Sequence, residues 1–291
     1  VTGRSLLLVV FLALLWGASY PLIKISVETI PPITVAALRG LFGGALLFAI
    51  MGRDAPALWR SGIAFRTYFT QAMLNCVIPW TFVAWASRTI DASLATVLNS
   101  LAPIFAFLIT WGITRHEPAT PRKFVGVLLG LAGVIAIIGI DALSGVGKHT
   151  VAELACLAGS VSYGTAAVLG TRFRTLSPLV PAAGSTLVAT VFLIPAALLV
   201  ETPWDIHPSA RSVWGLAGLI VFSTGLAFVV YFRLLSTLGT IGTTAQSYLR
   251  ILVGVGLGVA LLGEKLSPNL AAGIALVVAG VVIMVGVKKG G

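Results

Sequence analysis

Residues 92–139 read ASLATVLNSLAPIFAFLITWGITRHEPATPRKFVGVLLGLAGVIAIIG. An apolar run ends near Thr114, a short turn carries Glu117 and Pro121, and a second apolar run spaced by Gly126 and Gly133 ends at Gly139. A shift of 147 positions brings the same skeleton back. Gly17 falls on Gly164, Ser100 on Ser247, Glu117 on Glu264 and Pro121 on Pro268. Gly126 falls on Gly273, Gly133 on Gly280 and Gly139 on Gly286. A constant offset without gaps, at residue types that make turns and close helix contacts, marks a tandem duplication. The units are residues 1–146 and 147–291.

Composition sets the class. Of 291 residues 58% are hydrophobic and 10% charged, and the mean hydropathy is +1.04. A soluble domain has too little polar surface for such a chain, and apolar stretches of about 20 residues match the ~30 Å bilayer core. The partners expected are therefore the lipid bilayer and a small-molecule substrate. The net charge of +10 does not imply nucleic acid, because the basic residues sit between apolar segments and orient them. Cys76 and Cys156 fall inside apolar segments and read as packing residues. Arg4, an apolar run and Gly17-Ala18-Ser19 resemble a secretory signal. A first membrane helix is preferred, since the run continues to Ile23 and many more follow.

The fold class is all-α membrane protein with ten transmembrane helices. The first five spans are expected near 5–24, 33–51, 66–86, 92–114 and 122–140, the second five near 151–171, 180–200, 212–235, 240–262 and 268–287. Pro31-Pro32, Pro118, Pro178, Pro203 and Pro208 punctuate the loops. Lys and Arg fall unevenly on the two sides. One side holds Arg4, Arg53, Arg60, Arg66, Arg115, Arg122, Lys123, Arg172, Arg174, Lys288 and Lys289; the other holds Lys24, Arg88, Lys148, Arg211 and Lys265. The excess belongs in the cytoplasm, which places both termini there. Five crossings per unit make the second unit enter from the opposite side. The halves are then two inverted five-helix repeats, the construction of alternating-access transporters, with substrate near the midplane between them.

The motifs carry a family resemblance. Trp16-Gly17-Ala18-Ser19-Tyr20 with Lys24, Leu98-Asn99-Ser100-Leu101-Ala102-Pro103-Ile104-Phe105, Glu117 and the Gly126/Gly133 spacing resemble the drug/metabolite transporter superfamily, EamA type. Leu262-Gly263-Glu264 with Gly273/Gly280 repeats the pattern. The branch it resembles is that of the YddG-like amino acid exporters of bacterial inner membranes. The resemblance implies export of amino acids, aromatic and other neutral ones, or of other metabolites or drugs of the superfamily. One departure is Arg250, at the position equivalent to Pro103.

Polar residues inside the spans give the candidate site. Thr96, Asn99, Ser100 and Pro103 share a face of span four. Gln246, Ser247 and Arg250 repeat it on span nine. Gln71, Asn75 and Pro79 line up at intervals of four on span three. Such stripes glue helices together or face a wet cavity, and the Asn99/Gln246 pair is read as cavity lining. Arg39 and Arg250 are intramembrane charges and so functional candidates. Arg39, in the outer third of span two, has either a substrate or gate role or a side chain snorkelling to the outer interface. Arg250 is assigned to a substrate carboxylate or nearby helix ends. Trp16, Tyr20, Trp80, Tyr163 and Tyr248 supply aromatic walls suited to apolar or aromatic side chains. The cavity is expected between spans one, three, four, six, eight and nine, with five and ten peripheral. Gly40/Gly44, Gly126/Gly130 and Gly254/Gly258 read as helix contacts.

All nine Asp and Glu residues, and all three His, lie in loops or at span ends. Proton relays use such groups at depth, so facilitated diffusion, or coupling through something other than a buried carboxylate, is expected. No metal site or cofactor is expected. HExxH, P-loop and GxSxG motifs are absent, which leaves an embedded enzyme or a channel as weaker alternatives. Glu117 and Glu264 read as hinges or caps. The oligomeric state is left open, with a monomer as the simplest unit.

Overall fold

The computed structural model describes residues 3–52, 55, 62–114, 120–138, 149–244 and 246–285. Among them every regular element is helical. The first run joins α1 (Gly3–Gly17) to α2 (Ser19–Ser26). It breaks where Pro21, which has no N–H, cannot bond the Gly17 carbonyl. Then come α3 (Pro32–Met51), and α4 (Phe65–Ala72) joined through a π-turn at Met73–Val77 to α5 (Ile78–Ala86). Helices α6 (Ala92–Asn99) and α7 (Ala102–Ile109) form one bent run, followed by α8 (Pro121–Ile138). Beyond the repeat boundary lie α9 (Thr150–Gly170), α10 (Leu179–Val200) and α11 (Ala210–Gly218). A π-helix at Leu219–Leu226 connects α11 to α12 (Ala227–Thr244), and α13 (Gln246–Leu262) and α14 (Pro268–Val285) follow.

Among the described residues six runs are long and apolar enough to cross a membrane, beginning at Leu7, Pro32, Ala92, Thr150, Leu179 and Ala210, and two shorter apolar helices, Leu249–Leu262 and Pro268–Gly280, follow them. Their outer surface is apolar, as lipid requires: Leu7, Phe42, Leu128, Leu199 and Leu252 are all exposed. The turn expected between 235 and 240 does not occur. The helix continues through Gly239 to Thr244, which keeps its backbone groups bonded internally. Glu117, Gly139 and Gly286 lie outside the described residues.

Helices related by the 147-residue shift pack on one another. Gly40 of α3 faces Thr190 of α10, and Gly44 faces Leu187 and Thr186. Gly133 of α8 faces Gly273 and Val277 of α14, while Gly280 of α14 faces Gly126 and Gly130 of α8. In each pair the numbers rise on one helix as they fall on the other, so equivalent helices run antiparallel. A third contact is reciprocal too. Gly17 meets Val253 and the Arg250 carbonyl, and its equivalent Gly164 meets Ala106 and the Ala102 carbonyl. Small residues permit these approaches; a Cβ on Gly280 would stand 2.5 Å from the Gly126 oxygen.

Two carboxylates from distant loops cap helix starts. Pro31 and Asp91, at the cap positions of α3 and α6, make no side-chain cap bond. Instead Glu201 accepts from the Ile33 and Thr34 amides at 2.9 and 2.6 Å and from the Thr34 hydroxyl at 2.9 Å. Glu264 accepts from the Ala92 and Ser93 amides at 2.7 and 2.9 Å and from the Ser93 hydroxyl at 2.5 Å. Orphan N–H groups and the positive dipole end explain both placements.

Candidate functional site

The buried apolar residues form two clusters. One is centred on Tyr20, Ile23, Val83 and Leu98, the other on Leu12, Trp80, Phe228 and Tyr231. A cavity of about 50 Å³ lies where they meet, with room for a few water molecules. Trp16, Ser19, Tyr20 and Ile23 line it from α1 and α2; Asn75, Trp80 and Val83 from the third run; Ala102 from α7. The second unit contributes Tyr163 and Ala167 from α9, Phe228, Tyr231 and Thr243 from α12, and Gln246, Ser247 and Arg250 from α13. Arg39 adds α3 to the walls; among the described residues none from α8, α10 or α14 lines the cavity.

Arg39 does not snorkel outward. Its side chain is 5% exposed, donates through Nε to the Thr224 hydroxyl at 2.7 Å and through Nη2 to the Ser223 carbonyl at 3.2 Å, and lies 4.3 Å over the Trp80 ring. Fixed acceptors and an aromatic face inside the bundle hold the cation more closely than the interface would. Trp16 donates to the same Ser223 carbonyl at 3.1 Å.

Arg250 is also 5% exposed. Its Nη2 donates to the Asn99 carbonyl at 2.8 Å and, with Nε, to the Ser100 hydroxyl at 3.3 and 3.4 Å. Pro103 explains the geometry. Lacking an N–H, it leaves the carbonyl four residues earlier, that of Asn99, without its helical partner. The residue at the equivalent place in the second unit, Arg250, donates to that oxygen, and so does the Ser160 hydroxyl at 3.3 Å. The Arg250 guanidinium stands 5.6 Å from the Tyr20 ring centre. Pro79 acts similarly on its own run. The π-turn before it leaves the Leu74 carbonyl to accept from the Ser162 hydroxyl at 2.8 Å.

Asn99, Ser100, Pro103 and Pro79 are buried behind the lining rather than on it. Asn99 takes the Tyr20 hydroxyl on its Oδ1 at 2.9 Å and donates to the Cys156 carbonyl at 3.4 Å. It therefore positions a wall residue, whereas Gln246, its repeat equivalent, lines the cavity itself. Tyr248 belongs to α13, but its side chain lies outside the described residues. Phe228 and Tyr231 had no signal in sequence, for aromatics are ordinary in a buried apolar helix; their rings pack on Trp16. Ser247 was legible from the α13 stripe.

Several buried polar atoms have no hydrogen-bond partner: Nδ2 of Asn75, Nε1 of Trp80 and Oε1 of Gln246, all on lining residues, and both amide atoms of nearby Gln71. A buried polar group left unpaired costs about 1–3 kcal/mol, so these atoms are the ones on or near the lining with hydrogen-bonding capacity to spare. Among the described residues no three His, Cys, Asp or Glu gather as metal ligands, and Cys76 and Cys156 are free and buried.

The model of the EamA-like transporter family matches residues 3–139 and again 150–286, two matches separated by the 147-residue offset. An uncharacterized transporter of Bacillus subtilis, YvbV, is 26% identical over 97% of this chain and 91% of its own length. The uncharacterized inner membrane transporter YedA of Escherichia coli is 26% identical over 88% of this chain and 82% of its own. A crystal structure 21% identical superposes with a TM-score of 0.68 over 95% of this chain and 96% of its own, a likeness of fold.

Proposed function

The chain belongs to the EamA-like transporter family, and from that premise we propose that it is an alternating-access exporter of small metabolites. Ten crossings form two inverted five-helix repeats, 1–146 and 147–291. The antiparallel packing of equivalent helices supports the inversion. So does Glu264, which sits at the Ala92 end of the α6–α7 run, whereas Glu117 follows that run's other end in the chain. The membrane is a bacterial inner membrane, with both termini cytoplasmic on the Lys and Arg distribution.

The observation that carries the reading is the small cavity at the seam of the two apolar cores, walled by both units. Alternating access requires that one end of this seam part to admit the solute. The aromatic walls fit an apolar or aromatic side chain, and the guanidiniums fit a carboxylate. Amino acids of this kind, as the family resemblance implies, are the first substrates to test. Glu153 stands in the first turn of α9, and among the described residues no acid lines the cavity, so the carrier runs on the substrate gradient or on coupling other than a carboxylate at the cavity.

The test is counterflow in proteoliposomes across a panel of amino acids. Saturable uptake against preloaded unlabelled substrate, lowered by Arg250→Ala at normal expression, supports the carrier. Non-saturable flux with every member would indicate a channel, and chemical conversion of a lipid-linked substrate an enzyme.

A further inference from the structure

We propose that the cavity selects ligands of net negative charge: a carboxylate on an apolar, ring-bearing body, without an ammonium group. The inference rests on reading the cavity as the substrate site; within the small metabolites proposed above it favours carboxylates over the amino acids named there as first substrates to test.

Two guanidiniums line one small cavity. Each is held from behind in the same way, through Nε and Nη2, by a backbone carbonyl and the hydroxyl of the next residue: Ser223 with Thr224 for Arg39, Asn99 with Ser100 for Arg250. Both charges are buried, and among the described residues no Asp or Glu lines the cavity to neutralise them. A buried charge without a counter-charge is costly, and an anionic ligand removes that cost twice over. The orphan donors Asn75 Nδ2 and Trp80 Nε1 add hydrogen-bonding capacity for its oxygens. An ammonium finds the opposite. It would stand beside two like charges, with the Gln246 Oε1 as the unpaired acceptor on the lining. A zwitterion therefore gains at its carboxylate and loses at its nitrogen, and the same skeleton without the nitrogen keeps the gain alone.

The test uses three probes sharing one ring and chain: 3-phenylpropionate, phenylalanine and phenethylamine. Binding is read from tryptophan fluorescence of the full chain in nanodiscs, Trp16 and Trp80 being at the cavity, and transport from counterflow. Phenylpropionate is expected to bind at least about tenfold more tightly than phenylalanine, the scale of one charged group left without a partner, and phenethylamine not to compete. The ratio should fall toward one in Arg39→Gln and Arg250→Gln and persist in Arg39→Lys and Arg250→Lys, a change of selectivity that mere loss of packing would not produce. If the glutamine variants do not fold, the wild-type ratio decides. Phenylalanine binding as tightly as phenylpropionate, competition by phenethylamine, or binding by none of the three overturns the proposal. Saturable counterflow of phenylalanine in preference to phenylpropionate overturns it while leaving the carrier intact. Phenylpropionate binding without counterflow of any probe sustains it and removes the carrier.

Discussion

Replacing Glu264 by Ala should unfasten the start of α6. The carboxylate accepts the Ala92 amide at 2.7 Å, the Ser93 amide at 2.9 Å and the Ser93 hydroxyl at 2.5 Å. No local side chain replaces it, since Asp91 makes no cap bond. Losing a helix cap costs about 0.5–2 kcal/mol. Glu264 is only partly buried and water reaches some of the freed donors, so about 1–2 kcal/mol is the reasonable figure. That corresponds to a factor of roughly 5–30 in the population of the opened end. The assay is modification of Ala92→Cys by a maleimide reagent. Ala92 is fully buried, so labelling reports opening, and the buried Cys76 and Cys156 set a background measured on the parent chain. Glu264→Ala should accelerate labelling about 5–30-fold, and Glu264→Gln, which keeps an acceptor but no charge, should fall between. Equal rates within twofold in all three would refute the capping argument and show that this contact holds nothing closed.

Other outcomes follow from the same geometry. Tyr20→Phe strips Asn99 Oδ1 of its donor in a fully buried place and should lower unfolding stability by about 1–3 kcal/mol, read by denaturation in mixed micelles. Gly133→Val and Gly280→Val should destabilise alike, by about 1–3 kcal/mol or more, because their contacts are reciprocal; Gly256→Ala, with no atom within 4 Å, should stay within about 0.5 kcal/mol. Unequal effects of the two valines would argue against the proposed inverted repeat. Pro103→Ala restores an amide that competes for the Asn99 carbonyl, so Arg250 should loosen and affinity for carboxylate ligands should fall several-fold, measured by the fluorescence titration.

The sequence by itself determined the membrane class and the duplication, because hydropathy and a gapless spacing of Gly, Pro and Glu are properties of order along the chain. It also marked Arg39, Arg250, Gln246, Asn75, Trp16, Tyr20, Trp80 and Tyr163, since polar or aromatic residues stand out against an apolar background. It left open which way those side chains turn. Only the tertiary structure decided that Arg39 points into the bundle, that Asn99 serves Tyr20 instead of facing the cavity, and that Phe228 and Tyr231 complete the walls. It likewise decided that Arg250 serves the carbonyl orphaned by its own repeat equivalent, Pro103. The physical reason is that helix periodicity fixes a face only relative to its neighbours. Which neighbour lies against that face depends on how the two units pack, and the repeat spacing carries no information about the cross-unit partners of a single guanidinium.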